Sequence, residues 1–112
     1  MPLSIFDTTF ININFMAVYY IISYDITDPD DFSNYGVRVI PYLSKFGGEV
    51  LASDTEGIAV EGKPKKMNAI IRFPSQEDAL KCYNDPEYAP IKAIRMRSTT
   101  NNTLVLVKAF TS

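Results

Sequence analysis

Ala17-Val18-Tyr19-Tyr20-Ile21-Ile22-Ser23-Tyr24-Asp25 is the stretch that decides the fold. β-Branched and aromatic residues crowd it, which marks a strand. Its apolar character runs almost unbroken across both side-chain parities, which marks burial on both faces. Met67 to Phe73 has the same character. Two such strands belong in the middle of one sheet, and the rest of the chain supplies its edges and cover.

Working outward, Asp28-Pro29-Asp30-Asp31 opens a helix. Asp28 can cap the first turn, proline suits the first helical position, and Asp31 stands at the capping-box position near the positive dipole end. Phe32, Tyr35, Val39, Leu43 and Phe46 step by three or four and form one apolar stripe. Gly47-Gly48 supplies the left-handed stop, and Pro41 inside the helix predicts a kink. Glu49 to Ser53 reads as a short strand, Asp54 to Gly57 as a turn, and Ile58 to Glu61 as a return strand. After Met67–Phe73, Pro74 ends the strand and Ser75 with Asp78 forms a second capping box, opening a short helix with Ala79, Leu80 and Tyr83 inward. Asp85-Pro86 breaks that helix and begins a turn carrying Tyr88, Ile91 and Ile94. Asn101-Asn102 reads as another turn, and Thr103 to Phe110 as the last strand.

The order β-α-β-β-α-β, with a short inserted hairpin, is the split βαβ pattern of α+β ferredoxin-like domains, an antiparallel sheet with its helices on one face. The uncovered face is therefore mostly apolar with a few polar groups, and a monomer would leave it in water. The expectation is a homodimer through that sheet face, a dimeric α/β barrel whose sheets enclose a cavity.

At 112 residues the chain has room for one domain, expected over residues 17–112 after an N-terminal extension or arm over residues 1–16. A net charge of −2 argues against a nucleic-acid partner, and the one basic run, Lys63, Lys65 and Lys66, lies in a Gly/Pro turn. There is no histidine, and Cys82 is the only cysteine. No internal disulfide can form, in keeping with a cytoplasmic location. His-based nucleophilic systems and a haem on a proximal histidine are excluded, and the soft ligands of a zinc site are missing. No metal or cofactor is expected, and acid–base work would fall to Asp, Glu, Tyr, Lys or Arg. No stretch reaches the roughly twenty apolar residues of a membrane span. The arm is apolar, but no Lys or Arg precedes Arg38, so it does not read as a secretory signal. Either Met16 is the natural start, or Phe10–Phe15 is an extra strand packing on an edge or a partner.

Several residues are candidates for a ligand site. Arg72 lies in a strand read as buried, where a charge needs a partner. It either holds a ligand carboxylate or pairs with Asp25, Glu61 or a residue across the dimer. Arg95, Arg97 and Ser98 could build an anion site with Arg72, or the arginines could pair with Asp85 or Glu87. Tyr83 and Tyr88 either wall a pocket mouth or pack helix on sheet. Asp25 is either a base with a raised pKa or an organiser of backbone. Gly47-Gly48 either approaches a ligand or only stops a helix, and Cys82 reads as a core residue, since nothing nearby lowers its pKa.

Five pieces occur in order: Tyr24-Asp25-Ile26-Thr27-Asp28-Pro29, Phe46-Gly47-Gly48, Arg72-Phe73-Pro74-Ser75, Tyr83-Asn84-Asp85-Pro86-Glu87-Tyr88, and Ile91-Lys92 with Arg95-Met96-Arg97-Ser98. In these the chain resembles the domain of unknown function family 1330, of the dimeric α/β-barrel group, from about Ala17 to Phe110. The resemblance implies a ferredoxin-like protomer and a sheet-to-sheet homodimer but no assigned reaction; the wider group includes cofactor-free monooxygenases, lactone isomerases and haem enzymes. Family members more often carry Glu immediately before Phe-Pro-Ser, where this chain has Arg72. The expected function is a small-molecule pocket between sheet and helices for a small anionic ligand, in a cofactor-independent enzyme, a non-catalytic binder or a purely structural dimer.

Overall fold

The computed structural model describes residues 16–111, so the extra strand expected over Phe10–Phe15 lies outside the described residues. β1 (Val18–Ile26) runs in the middle of a four-stranded antiparallel sheet, between β3 (Met67–Phe73) and β4 (Thr99–Lys108), with β2 (Glu49–Asp54) on the outer side of β3. The two stretches read as doubly apolar are thus the two inner strands. Helices α1 (Pro29–Ser44), α2 (Gln76–Asn84) and α3 (Ala89–Ser98) pack on one face. Val18 and Phe73 from the sheet meet Val39 and Leu43 of α1, Ala79 and Cys82 of α2, and Ile91 of α3 in the main core. The ferredoxin-like α+β fold and its core order β-α-β-β-α-β are those the sequence predicts.

Local chemistry explains the boundaries. Asp28 accepts a bond from the Asp31 backbone N–H at 3.2 Å, and Ser75 accepts one from Asp78 at 3.1 Å, so both caps form as read. Gly47 ends α1 at φ +79°. A Cβ on Gly48 would stand 2.9 Å from the Phe73 ring, so these two glycines bring the chain against β3 and the Phe73–Pro74 corner. α1 continues through Pro41 to Ser44.

Four expectations need correction, the first being Leu80, which is exposed on α2 while Cys82 joins Ala79 as its buried residue. Ile58–Glu61 is not a strand but part of the loop from β2 to β3. The alternation of Ile58 and Val60 suggested pairing, but Gly57, Gly62 and Pro64 break the run, and both side chains stand about nine-tenths exposed. The segment after Asp85 is a 3₁₀ turn, Pro86–Tyr88, leading into α3, because Pro90 falls in the first helical turn, where its missing N–H costs nothing. The last strand starts at Thr99 rather than Thr103, and Asn101-Asn102 is a bulge within it rather than a turn before it. Asn101 takes φ +57°, a left-handed conformation that asparagine tolerates better than most residues.

The register sorts the side chains. Val18, Tyr20, Ile22 and Tyr24 of β1 face the helices, beside Met67, Ala69, Ile71 and Phe73 of β3. Tyr19, Ile21 and Ser23 share the opposite parity with Ile70 and Arg72 of β3 and Val105 and Val107 of β4. Ile21, Val105 and Val107 are exposed on that outer face.

Candidate functional site

Between α1 and the sheet lies a cavity of about 140 Å³. Ile22, Tyr24 and Met67 line it from the sheet, Tyr35 and Val39 from α1, and Arg95 from α3. Strand parity delivers the first three. The apolar stripe of α1 delivers the next two, and the inward face of α3, shared with Ile91 and Ile94, delivers the arginine. Gly36 of α1 also borders the cavity, and a Cβ built there would meet nothing within 4 Å.

Arg95 dominates the electrostatics. It is only 2 % exposed and has no ion pair with a carboxylate among the described residues. Its Nη1 donates to Asn102 Oδ1, and its Nε is buried without a partner. The guanidinium stands 5.8 Å from the ring centroids of both Tyr24 and Tyr35, which supply a partial substitute for a counter-charge. Burial opposes its charge, but the neighbouring Tyr35 and Tyr88 hydroxyls outweigh that and hold its pKa above the ordinary arginine value. Asn102 is fixed in turn by donating to Thr99 Oγ1 at 3.0 Å. The β4 bulge thus supplies an acceptor to this cation, beside the Tyr35 and Tyr88 hydroxyls.

The tyrosines beside it are neutral donors. Tyr24 is pushed up to about 12, chiefly by burial and against the pull of Arg95. Tyr35 is raised further, by burial first and then by Tyr88. The Tyr35 and Tyr88 hydroxyls lie 3.0 Å apart. Only one proton is used between them, so the accepting hydroxyl keeps its own proton free for another acceptor. The titratable groups lining the cavity are Tyr24, Tyr35 and Arg95, and none of these is a base near neutral pH.

The other candidate residues separate. Arg72 is not a buried charge: it lies half-exposed on the outer face, bonded to Glu49 at 2.9 Å, its register partner on β2, and not to Asp25 or Glu61. Arg97 makes a two-pronged pair with Asp31 of α1, at 2.5 and 3.0 Å, rather than with Asp85 or Glu87. The three arginines therefore have separate partners and do not build one anion site. Ser98 is fully buried and donates to the Ile94 carbonyl at 2.6 Å, while its own carbonyl accepts from Thr27 at 2.8 Å. It fastens the end of α3 to the start of α1.

Asp25 accepts from the Lys66 backbone N–H at 3.0 Å and from Asn101 at 3.2 Å. Those bonds, the Lys66 one foremost, hold its pKa below the usual aspartate value, the opposite of a raised base. Tyr88 is buried, stacked 5.8 Å from Tyr42. Tyr83 is packed against Tyr88, with the Lys92 ammonium 4.5 Å above its ring. Burial, helped by Asp85, pushes the Cys82 thiol up to about 11, in keeping with a core residue.

Sequence reasoning missed Tyr24, Tyr35, Gly36 and Asn102 as site residues. Tyr24 and Tyr35 sit on the inward parity and stripe that were read from the sequence, but as packing. The role of Asn102 follows only from the bulge, and no pattern in the sequence signals it.

The architecture is that of a ferredoxin-like α+β protomer with a cavity between helix and sheet. The sequence pattern of one family, the domain of unknown function DUF1330, matches residues 17–110, and the chain belongs to that family. No curated protein shows a significant match. Among solved structures, a protein of unknown function from Rhodopseudomonas palustris, RPA0582, superposes with a TM-score of 0.74 at 14% identity over 87% of this chain and 85% of its own. SnoaB, a cofactor-independent oxygenase from Streptomyces nogalater, is similar at a TM-score of 0.66 and 12% identity, over 87% of this chain and 96% of its own. A dimeric ferredoxin-like protein of unknown function from Thermobifida fusca gives 0.55 at 13% identity, over 84% and 92%. At these identities the likeness establishes the fold.

Proposed function

We propose that this protein works as a homodimer that takes up a small, largely apolar molecule bearing one acidic oxygen group in the cavity between α1 and the sheet. One observation carries the reading: a cation lining an apolar cavity, almost wholly buried, with no carboxylate among the described residues to balance it and its Nε unpartnered among them. Such a charge is costly in isolation, and an anionic ligand would supply the missing partner. Of the candidate ligand-binding residues, Arg95 contacts that molecule, while Tyr88 steadies Tyr35 from behind. Asp25, Arg72, Arg97, Ser98 and Tyr83 act in the scaffold.

The likeness to a cofactor-independent oxygenase favours the reading of an enzyme that needs no cofactor. A second reading, a non-catalytic binder, draws on the lack of any base among the titratable groups of the cavity. The dimer draws on the exposed Ile21, Val105 and Val107 of the outer sheet face and on the dimeric relative. The single cysteine agrees with a reducing compartment, and no helix among the described residues is long and apolar enough to cross a membrane.

Incubating the purified protein with fractionated small acids separates the enzymatic reading from the binding one. Turnover supports the enzyme; thermal stabilisation with the acid fully recovered supports the binder. If no fraction does either, the small-molecule reading fails. Sedimentation at micromolar concentration should give a dimer, and a species of protomer mass alone would overturn that part.

A further inference from the structure

Resting on the cavity reading above, we infer that the site discriminates by ionisation state. It takes phenols, enols or short carboxylic acids of about one ring in size, binds them as the conjugate base, and keeps them ionised below their solution pKa.

The size limit comes from the cavity. At about 140 Å³ it matches the roughly 150 Å³ apolar cavity that admits benzene and falls short of the ~300–1,000 Å³ usual for drug-sized ligands. Its walls are chiefly aliphatic and aromatic, so the body of the ligand is apolar.

The charge preference comes from Arg95. Nη1 is committed to Asn102, while the Nε edge has no partner. Arg95 lines the cavity, and an oxygen anion placed there beside the guanidinium supplies the missing counter-charge and makes a charge-assisted bond. The groups facing Arg95 from each neighbouring element are Tyr24 of β1, Tyr35 of α1, Tyr88 of the 3₁₀ turn and Asn102 of β4. None is a carboxylate, so nothing among them competes for the guanidinium or repels an anion. The free proton of the Tyr35–Tyr88 pair can be donated to the same oxygen. A neutral acid would forgo the ion pair and leave the cation unbalanced. An opposite charge at such a distance lowers an acid's pKa by about 1–3 units, and one unit corresponds to a tenfold preference for the ionised form.

The test uses para-fluorophenol, whose fluorine NMR shift separates phenol from phenolate, beside para-fluorotoluene as a neutral isostere and chloride as a minimal anion. The expected result is that para-fluorophenol binds with an apparent pKa at least one unit below its solution value and at least tenfold tighter than para-fluorotoluene. In Arg95→Met the preference should vanish or invert while para-fluorotoluene still binds. If that variant fails to fold, Gly36→Leu, which places a side chain in the cavity with Arg95 intact, should abolish binding of both aromatics. Equal binding of phenol and toluene, or a phenol bound in its neutral form, would overturn the ionisation inference while leaving the cavity reading intact. Chloride stabilising the protein as much as the phenolate would overturn the organic-acid assignment. No binding of either aromatic would overturn the inference and the cavity reading together.

Discussion

Replacing Arg95 by methionine separates a charge kept for function from one kept for stability. The side chain is buried, and among the described residues it has a hydrogen bond to Asn102 and two ring faces, Tyr24 and Tyr35, in place of a carboxylate. Its removal forfeits a charged hydrogen bond, about 1.5–3 kcal/mol, and two cation–π contacts of about 0.5–1 kcal/mol each at the modest end. Against this stands the desolvation of a cation with no ion-pair partner, which costs several kcal/mol even after relaxation. Methionine is similar in length and apolar, and the freed Asn102 is only partly buried, so water can reach it. In comparable cases, apolar replacement of buried charges is neutral or stabilising by about 1–4 kcal/mol. Arg95→Met is therefore expected to be unchanged or up to about 2 kcal/mol more stable in urea unfolding at fixed protein concentration, a rise of up to about 8–16 °C in Tm. A loss beyond about 2 kcal/mol would refute this energetic reasoning, since Arg95 would then be a stabilising member of the core, and the ligand reading would rest on the binding experiments alone.

Three further outcomes follow from the same geometry. Gly36→Ala should stabilise the protein by about 0.5–1 kcal/mol, because glycine is disfavoured inside a helix and the added Cβ meets nothing within 4 Å; thermal melts check this, and a decrease in Tm would mean the position is tighter than described. Asp25 has a lowered pKa in the folded protein, so its stabilising contribution is present above the unfolded aspartate range, near 3.9, and is lost as pH falls through the folded value. Asp25→Asn should accordingly flatten the acid limb of stability against pH, measured by denaturant midpoints from neutrality downward, and an unchanged limb would contradict the assignment. Cys82, buried with its thiol raised to about 11, should react with an aromatic disulfide reagent at neutral pH only as fast as the protein opens, so labelling as fast as that of a free thiol would disprove its burial.

The fold was legible because its two central strands state their position twice. Val18, Tyr20, Ile22 and Tyr24 answer to the helices, while Tyr19 and Ile21 answer to the other face, and only an inner strand of a one-side-covered sheet needs both sets. The caps at Asp28 and Ser75 were equally readable, because they depend on side chains within three residues. What failed was pairing. Ile58 and Val60 alternate like a strand, yet a strand needs a neighbour, and among the described residues none pairs with this run. Likewise Asn101-Asn102 has the composition of a turn and the position of a bulge. The two differ only in whether β4 has already begun pairing with β1, which local sequence does not encode.

The candidate site was less legible for a related reason. Arg95 and Arg97 are two positions apart on one helix and look equivalent as letters, but that spacing turns them to different sides. One reaches Asp31 and solvent; the other lines the cavity without a counter-ion among the described residues. Which is which depends on where the bulge in β4 sets Asn102 and where α1 lies over the sheet, both products of tertiary structure. Arg72 was the natural choice from sequence because its strand reads as buried, yet its parity places it on the outer face with Glu49. The chemistry then follows from the exchange of one arginine for another. A site built on Arg72 and Asp25 would have offered a cation and a base together. A site built on Arg95 among tyrosines holds a cation and neutral donors, so it can stabilise an anion without a carboxylate to generate one. Any substrate turned over there must bring its own acidic proton and be acidic enough to lose it beside a buried guanidinium.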